Sequence, residues 1–190
     1  MNKIKMPLVL LAGGKSSRMN TNKTLLPFAN ETLISYQYNR LKPYFQKIYI
    51  STKKNQFQFD NILFDQYSVY SPLYAIKSIF EQINYKKIFI LAVDTPFVTI
   101  NTIKQIIKQS DSYDITVAKT NFRHNLCGVY NKNIISVINQ MVKSNNHKLG
   151  LLLEQSKTNY ILFSDENEFL NLNTLQEYQK AISLLKDKLV

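Results

Sequence analysis

A cluster of cations follows a glycine pair near the start of the chain. Lys15, Arg18 and Lys23 lie within nine residues of one another, directly after Gly13-Gly14. Glycines let the backbone turn sharply and approach a ligand closely, and successive backbone N–H groups in such a turn form a concavity that binds anions. The pattern favours a phosphate site over an ordinary solvated turn. It matches neither G-x-x-x-x-G-K-[ST] nor G-x-G-x-x-G, so the loop is of another kind.

Two carboxylates each follow an apolar segment. Asp94 comes directly after the continuous apolar run 88–93, and Asp65 comes directly after Ile62-Leu63-Phe64. Asp94 could simply form a turn, because Asp-Thr-Pro is favourable turn chemistry. However, Mg²⁺ is usually held by one or two carboxylates together with substrate phosphates. We therefore favour Asp94 as a Mg²⁺ ligand, whereas Asp65 could join it or hydrogen-bond a ribose or a base.

The elements that must position these side chains alternate between strands and helices. Apolar and β-branched runs predict strands at 7–12, 47–51, 61–64, 87–93, 113–118, 126–130 and 159–163, with 25–28 extended. Capping residues and apolar spacing predict helices at 32–41, 72–80, 99–107, 132–142, 147–154 and 175–185. This alternation predicts an α/β fold with a mainly parallel sheet. Ligands of such sheets bind outside the carboxyl ends of the strands, where the cations, Asp65 and Asp94 all fall.

Composition limits the class of protein. The 190 residues are 45% hydrophobic, which suits a single domain over 1–190. No apolar run approaches the ~20 residues that span a bilayer, so we expect a cytoplasmic protein without a membrane partner. Cys127 is the only cysteine and lies in an apolar segment, which favours a buried structural thiol. His124 and His147 alone cannot make a three-ligand zinc site.

Several short motifs, in this order and spacing, resemble those of the molybdenum cofactor guanylyltransferases (MobA family) of the nucleoside-triphosphate transferase superfamily. The first is L-A-G-G-x-S-x-R-M at 11–19 with Lys23 beyond it. The others are Asp65 ahead of Ser71-Pro72-Leu73-Tyr74-Ala75, then Asp94-Thr95-Pro96-Phe97, then Asn171-Leu172-Asn173-Thr174.

The resemblance implies a three-layer α/β/α Rossmann-like nucleotidyltransferase fold and a Mg²⁺-dependent reaction. In that reaction GTP donates GMP to the terminal phosphate of molybdopterin or its molybdenum-loaded form, and pyrophosphate leaves. Other cofactor-biosynthesis proteins would be possible partners. By position, the resemblance implies catalytic roles for Lys23, Arg18 and Asp94, with Asp94 as the metal ligand. It implies nucleotide binding by Leu11, Ala12, Gly13, Gly14, Lys23, Ser51, Asp65 and Asp94, and an acceptor side at Asn171 and Asn173.

The chain also departs from the family pattern, which keeps other functions open. Ser51 stands where the family often has Asn, and the segment 71–75 is bulkier than the usual glycine-rich one. A related nucleotidyltransferase that uses CTP, or a sugar or polyol phosphate acceptor, is the first alternative. A catalytically silent nucleotide-binding module is the second. Nucleic-acid binding, suggested only by the net charge of +11, ranks last.

Overall fold

The computed structural model describes residues 2–13, 23–54 and 56–187. The strands in this part of the chain are β1 Leu8–Leu11, β2 Pro27–Phe28, β3 Glu31–Thr32, β4 Ile48–Thr52, β5 Ile62–Phe64, β6 Lys87–Ala92, β7 Ile115–Lys119, β8 Arg123–Asn131 and β9 Thr158–Leu162. The α-helices are α1 Leu33–Leu41, α2 Pro72–Gln82, α3 Ile100–Lys108, α4 Ile135–Lys143, α5 Leu149–Glu154 and α6 Leu175–Asp187.

The main sheet has seven strands in the order β5-β4-β1-β6-β8-β7-β9. Neighbours pair in parallel except around β8, which is antiparallel to both β6 and β7. The chain leaves β1 for β4 on one side and later returns to β6 on the other. The carboxyl end of β1 is therefore a topological switch point, where open α/β sheets form a ligand crevice.

Helices cover both faces of the sheet. Successive side chains of a strand point to opposite faces, and in β1 Leu8 and Leu10 enter one buried cluster while Val9 and Leu11 enter another. The first cluster contains residues of α1, α3 and α6, and the second contains residues of α2, α4 and α5. The fold is thus the predicted three-layer α/β/α arrangement with a mainly parallel sheet.

Some local predictions differ from the structure. Leu25 lies in the segment 25–28, which was predicted to be extended, but it is the last residue of a 3₁₀ turn over Lys23–Leu25. The Leu26 N–H closes this turn by donating to the Lys23 carbonyl oxygen at 3.2 Å. The helix predicted from residue 132 begins with a 3₁₀ turn over Lys132–Ile134, and its α-helical part starts at residue 135. A further 3₁₀ turn at Glu166–Phe169 was not predicted.

The antiparallel strand β8 depends on one glycine. A Cβ on Gly128 would lie 2.3 Å from the Thr116 carbonyl oxygen and 2.7 Å from Val117 Cγ1, so only glycine lets β7 approach this closely. The neighbouring Cys127 is buried, and burial raises the pKa of its thiol far above the ordinary value. Cys127 is therefore a packing residue, as predicted. In the described residues, none of the helices is both long and apolar enough to cross a bilayer.

Candidate active site

The carboxyl end of β1 joins the two halves of the candidate site. The Leu11 carbonyl oxygen accepts from the Val93 N–H at 3.1 Å, and the Ala12 N–H donates to the Ser51 carbonyl oxygen at 2.9 Å. These two backbone groups are therefore used within the sheet. Gly13 follows, and a Cβ placed there would meet no atom within 4 Å. Among residues 11–13, where the described part of this turn ends, the Ala12 carbonyl group and Gly13 are the backbone groups best placed to contact a ligand.

On the β4 and β5 side of this junction lies a cavity of about 230 Å³. Its wall is formed by the ends of β1, β4 and β5 and by the first turn of α2. Ser71 caps that helix, because its side chain accepts from the Leu73 N–H at 3.2 Å, and Pro72 occupies the first turn. The positive end of the helix dipole therefore faces the cavity. The residues that line the cavity include Leu11, Gly13, Ser51, Lys53, Asp65 and Ser71.

On the β6 side, Lys23 lies between two oxygen-bearing side chains. Its Nζ donates to Asn173 Oδ1 at 2.7 Å and lies 3.8 Å from Asp94 Oδ2. The Lys23 and Asp94 side chains are only 17% and 25% exposed. Lys23, Asp94 and Asn173, which we call the cation centre, were all predicted from the sequence as site residues, and the structure brings them together.

The backbone holds Asn173 in this position. The Leu172 N–H donates to the Asp94 carbonyl oxygen at 2.9 Å, and the Leu172 side chain is buried. The Asn173 N–H donates to Glu177 Oε2 at 2.9 Å. The Asn173 N–H also donates to the Asn171 carbonyl oxygen at 3.0 Å, so Asn171 belongs to the same turn.

Glu177 also accepts hydrogen bonds at the start of α6. Its Oε2 accepts from the Thr174 N–H at 2.7 Å and from Thr174 Oγ1 at 2.9 Å, while the Glu177 N–H donates back to Thr174 Oγ1 at 3.2 Å. This reciprocal pair is a capping box. The Thr-x-x-Glu spacing was visible in the sequence, but Glu177 was not singled out there.

The environment of Asp94 disfavours its charge. Burial raises the pKa of the Asp94 carboxyl above its ordinary value, the nearby Lys23 ammonium partly opposes this effect, and Glu177 adds to it. A cation bound beside Asp94 would act against this effect, since an opposite charge favours the ionised form. The site is therefore built to gain from a positive ion or from the approach of Lys23.

The donor set of the cation centre fits Mg²⁺ rather than zinc. Across residues 2–13, 23–54 and 56–187, no three His, Cys, Asp or Glu side chains gather into a metal-binding group. Asp94 and Asn173 instead offer a carboxylate and an amide oxygen, and a cation, the Lys23 ammonium, already lies between them. Mg²⁺ takes such hard oxygen ligands and completes its shell with water and substrate phosphates.

Asp65, in the cavity wall, is paired with a residue that the sequence analysis did not select. Lys53 Nζ lies 3.0 Å from Asp65 Oδ2, and the two side chains are 15% and 5% exposed. The only sequence signal for Lys53 is its position two residues after Ser51, directly after β4. Ser51 itself is buried in the wall of the same cavity. Two other predicted residues, Gly14 and Arg18, lie outside the described residues.

Comparison with known proteins places the chain in a family. The model of the MobA-like NTP transferase domain matches residues 8–159. The chain is 36% identical over 183 residues to the molybdenum cofactor guanylyltransferase of Campylobacter jejuni (strain RM1221), covering 94% of this chain and 96% of that protein. It is 36% identical over 190 residues to the enzyme of the same name from Helicobacter pylori (strain ATCC 700392 / 26695), covering 96% and 94%.

Solved structures agree on the fold. Molybdopterin-guanine dinucleotide biosynthesis protein A from Archaeoglobus fulgidus superposes with a TM-score of 0.83 at 16% identity, over 96% of this chain and all of that one. A putative protein of Aquifex aeolicus VF5 superposes with a TM-score of 0.75 at 24% identity, over 90% of this chain and 94% of that one.

Nucleotidyltransferases of this family generally depend on a divalent metal ion. The chain belongs to the MobA-like NTP transferase family and is an enzyme of the nucleotidyltransferase kind.

Proposed function

We propose that this enzyme transfers GMP from GTP to the terminal phosphate of molybdopterin, or of its molybdenum-loaded form, and releases pyrophosphate. The names of the relatives from Campylobacter jejuni and Helicobacter pylori support guanylyl transfer in molybdenum cofactor synthesis. Each similarity covers nearly the whole length of this chain and of the relative, so it includes both the cavity and the cation centre.

The cavity is the place for the nucleoside half of GTP. It opens beside Gly13, where even an added Cβ would meet no atom within 4 Å, so the space next to the backbone is open to a ligand. Ser51 and Asp65 supply polar groups to its wall. The nucleotide would then extend from the cavity, past the end of β1, towards Lys23 and Asp94.

The cation centre is the place for the phosphates. A terminal phosphate oxygen of the acceptor attacks the α-phosphorus of GTP, the bond from that phosphorus to the α,β-bridging oxygen breaks, and pyrophosphate leaves. The bond formed and the bond broken are both phosphate anhydrides, so no covalent enzyme intermediate is needed. Such transfers depend on positioning and on stabilisation of negative charge.

Within this step the chain's own residues have separate tasks. Lys23 moves its ammonium from Asn173 and Asp94 to the phosphates, where it stabilises the charge that develops on pyrophosphate. Asp94, with Asn173 beside it, would hold Mg²⁺, and the charge of that ion would neutralise phosphate oxygens. Asn171 and Asn173 border the side on which the acceptor phosphate enters.

The observation that carries the proposal is the position of the Lys23 ammonium between Asp94 and Asn173, directly at the carboxyl edge of the sheet. A thermal-shift comparison of GTP, ATP, CTP and UTP, each with and without Mg²⁺, tests it. We expect the largest stabilisation from GTP with Mg²⁺. A preference for CTP would contradict the guanylyl assignment and support the alternative nucleotidyltransferase, whereas no response to any nucleotide would contradict nucleotide binding by this site altogether.

A further inference from the structure

The Lys53–Asp65 pair is built more tightly than a surface ion pair. The ammonium lies 3.0 Å from Asp65 Oδ2 and also donates to the Tyr67 carbonyl oxygen. The other carboxylate oxygen, Oδ1, accepts from the Tyr67 N–H at 3.1 Å. Both side chains are largely buried. Removing one partner of such a pair leaves the other charge buried and uncompensated, which is far more disruptive than the loss of an exposed pair.

The same ammonium also contacts the outer wall of the cavity. Lys53 Nζ lies 4.7 Å from the centroid of the Tyr70 ring, and both residues line the cavity together with Asp65. The Asp65 N–H donates to the Thr52 carbonyl oxygen at 2.8 Å, which fixes the start of this segment to β4. Lys53 therefore ties together the end of β4, the carboxylate after β5 and the chain that leads to α2.

We propose that Lys53 is a positioning residue for nucleotide binding, acting through Asp65 and the wall segment 65–70. A carboxylate has about four acceptor positions, and Lys53 and Tyr67 together occupy two of those on Asp65. The remaining positions accept from donor groups of the nucleoside, and Lys53 sets the direction in which they point. The inference rests on the proposed function, since it assigns the nucleoside half of GTP to this cavity.

This role makes a prediction that a merely structural lysine does not make. The contacts of Lys53 are with the wall for the nucleoside and not with the cation centre, so its loss should weaken binding of the nucleoside and leave the phosphate side intact. We expect Lys53→Met to raise KM for GTP at least ten-fold while changing kcat much less. We expect the affinity for Mg²⁺ with pyrophosphate alone, measured by calorimetry, to stay within about two-fold.

Two further variants complete the test. Lys87→Met is the matched control, because Lys87 is a similarly buried lysine (16% exposed) that pairs with Asp111 and the Ser110 carbonyl oxygen at the opposite end of β6. Lys87→Met should leave KM for GTP unchanged. Lys53→Arg keeps the charge and should recover most of the lost affinity.

The outcomes separate this inference from the proposed function. If the wild-type enzyme binds GTP and Lys53→Met binds it equally well, the positioning role is overturned and the proposed function stands. If Lys53→Met weakens the binding of pyrophosphate as much as the binding of GTP, the role of Lys53 is a general structural one and the inference is again overturned. If the wild-type enzyme itself does not bind GTP, the proposed function fails first.

Discussion

Replacing Asp94 by asparagine should separate metal-dependent activity from stability. The substitution keeps the shape and one oxygen but removes the charge. No neighbouring carboxylate described in the structure can replace it, because Glu177 Oε2 already accepts hydrogen bonds from Asn173 and Thr174, and Asp65 is paired with Lys53. We therefore expect Asp94→Asn to lose the effect of Mg²⁺ on both GTP binding and turnover.

The size of the effect follows from binding linkage. A ligand present at 100 times its Kd stabilises the native state by about 2.7 kcal/mol. For a chain of 190 residues, 1 kcal/mol corresponds to roughly 2–4 °C in Tm. GTP with Mg²⁺ should thus raise Tm of the wild-type enzyme by about 5–10 °C. Turnover should fall about 10²–10³-fold in Asp94→Asn, as for other losses of a group that stabilises transition-state charge.

In the absence of ligands, we expect Asp94→Asn to stabilise the folded protein or to leave its stability unchanged. The pKa of Asp94 is raised in the folded protein, mainly by burial, so the folded state binds more protons than the unfolded state as pH rises from the ordinary Asp value to the folded value. Stability falls through that window and stays lower above it. The charge of Asp94 therefore costs stability at neutral pH. Asp94→Asn should melt at the same temperature as the wild type or higher.

The assay is differential scanning fluorimetry with GTP, with and without Mg²⁺, followed by measurement of pyrophosphate release. Asp111→Asn is the matched control, because Asp111 has a 95% exposed side chain and pairs with Lys87 rather than with the cation centre. A Mg²⁺-dependent part of the Tm shift that survives in Asp94→Asn, or robust Mg²⁺-dependent turnover by that variant, would refute the metal assignment.

Three other perturbations have defined outcomes. Lys23→Met should lower kcat with GTP by at least ten-fold. It should also raise the pKa of Asp94 further, so that Mg²⁺ binding measured by calorimetry weakens on acidification. Mg²⁺ binding by Lys23→Met that does not change with pH would contradict this second effect. Gly128→Ala should lower the free energy of unfolding by about 1–3 kcal/mol in a urea titration, because its Cβ meets the Thr116 carbonyl oxygen; an equal midpoint would show that β7 can move aside. Ser71→Ala should cost about 1 kcal/mol by the same measurement through loss of the α2 cap, and Ser71→Thr, which keeps a hydroxyl, should cost less.

Much of the fold could be predicted from the sequence because its signals are local. The continuous apolar run of β6 predicts a central strand that is buried on both faces. β6 does lie in the middle of the sheet, although it is parallel only to β1 and is antiparallel to β8. A carboxylate directly after it lies beside the carboxyl end of β1, at the ligand-binding edge of the sheet. Asp94 could therefore be selected from the residue pattern alone. The helices predicted at 32–41, 72–80 and 99–107 likewise begin close to where they were expected. Thr32, Ser71 and Thr99 cap them, since their side chains accept from first-turn backbone N–H groups.

The remaining parts of the site depend on distant pairings. Lys23 and Asn173 are 150 residues apart in sequence, and the hydrogen bond from the Leu172 N–H to the Asp94 carbonyl oxygen helps to hold Asn173 beside Asp94 and Lys23. Family resemblance named both residues, but nothing local in the sequence gives their distance. Lys53 was not selected at all, because its importance arises from the parallel pairing that places the end of β4 beside Asp65.

The most direct test of guanylyl transfer is to follow the α-phosphate of GTP. The enzyme would be incubated with molybdopterin, Mg²⁺ and either α-labelled or γ-labelled GTP, and the pterin product would be separated from the nucleotides and analysed. We predict that the α-label appears in a guanine dinucleotide of the pterin and the γ-label in pyrophosphate. Absence of α-label from the pterin with GTP, together with its transfer from CTP, would contradict the assignment.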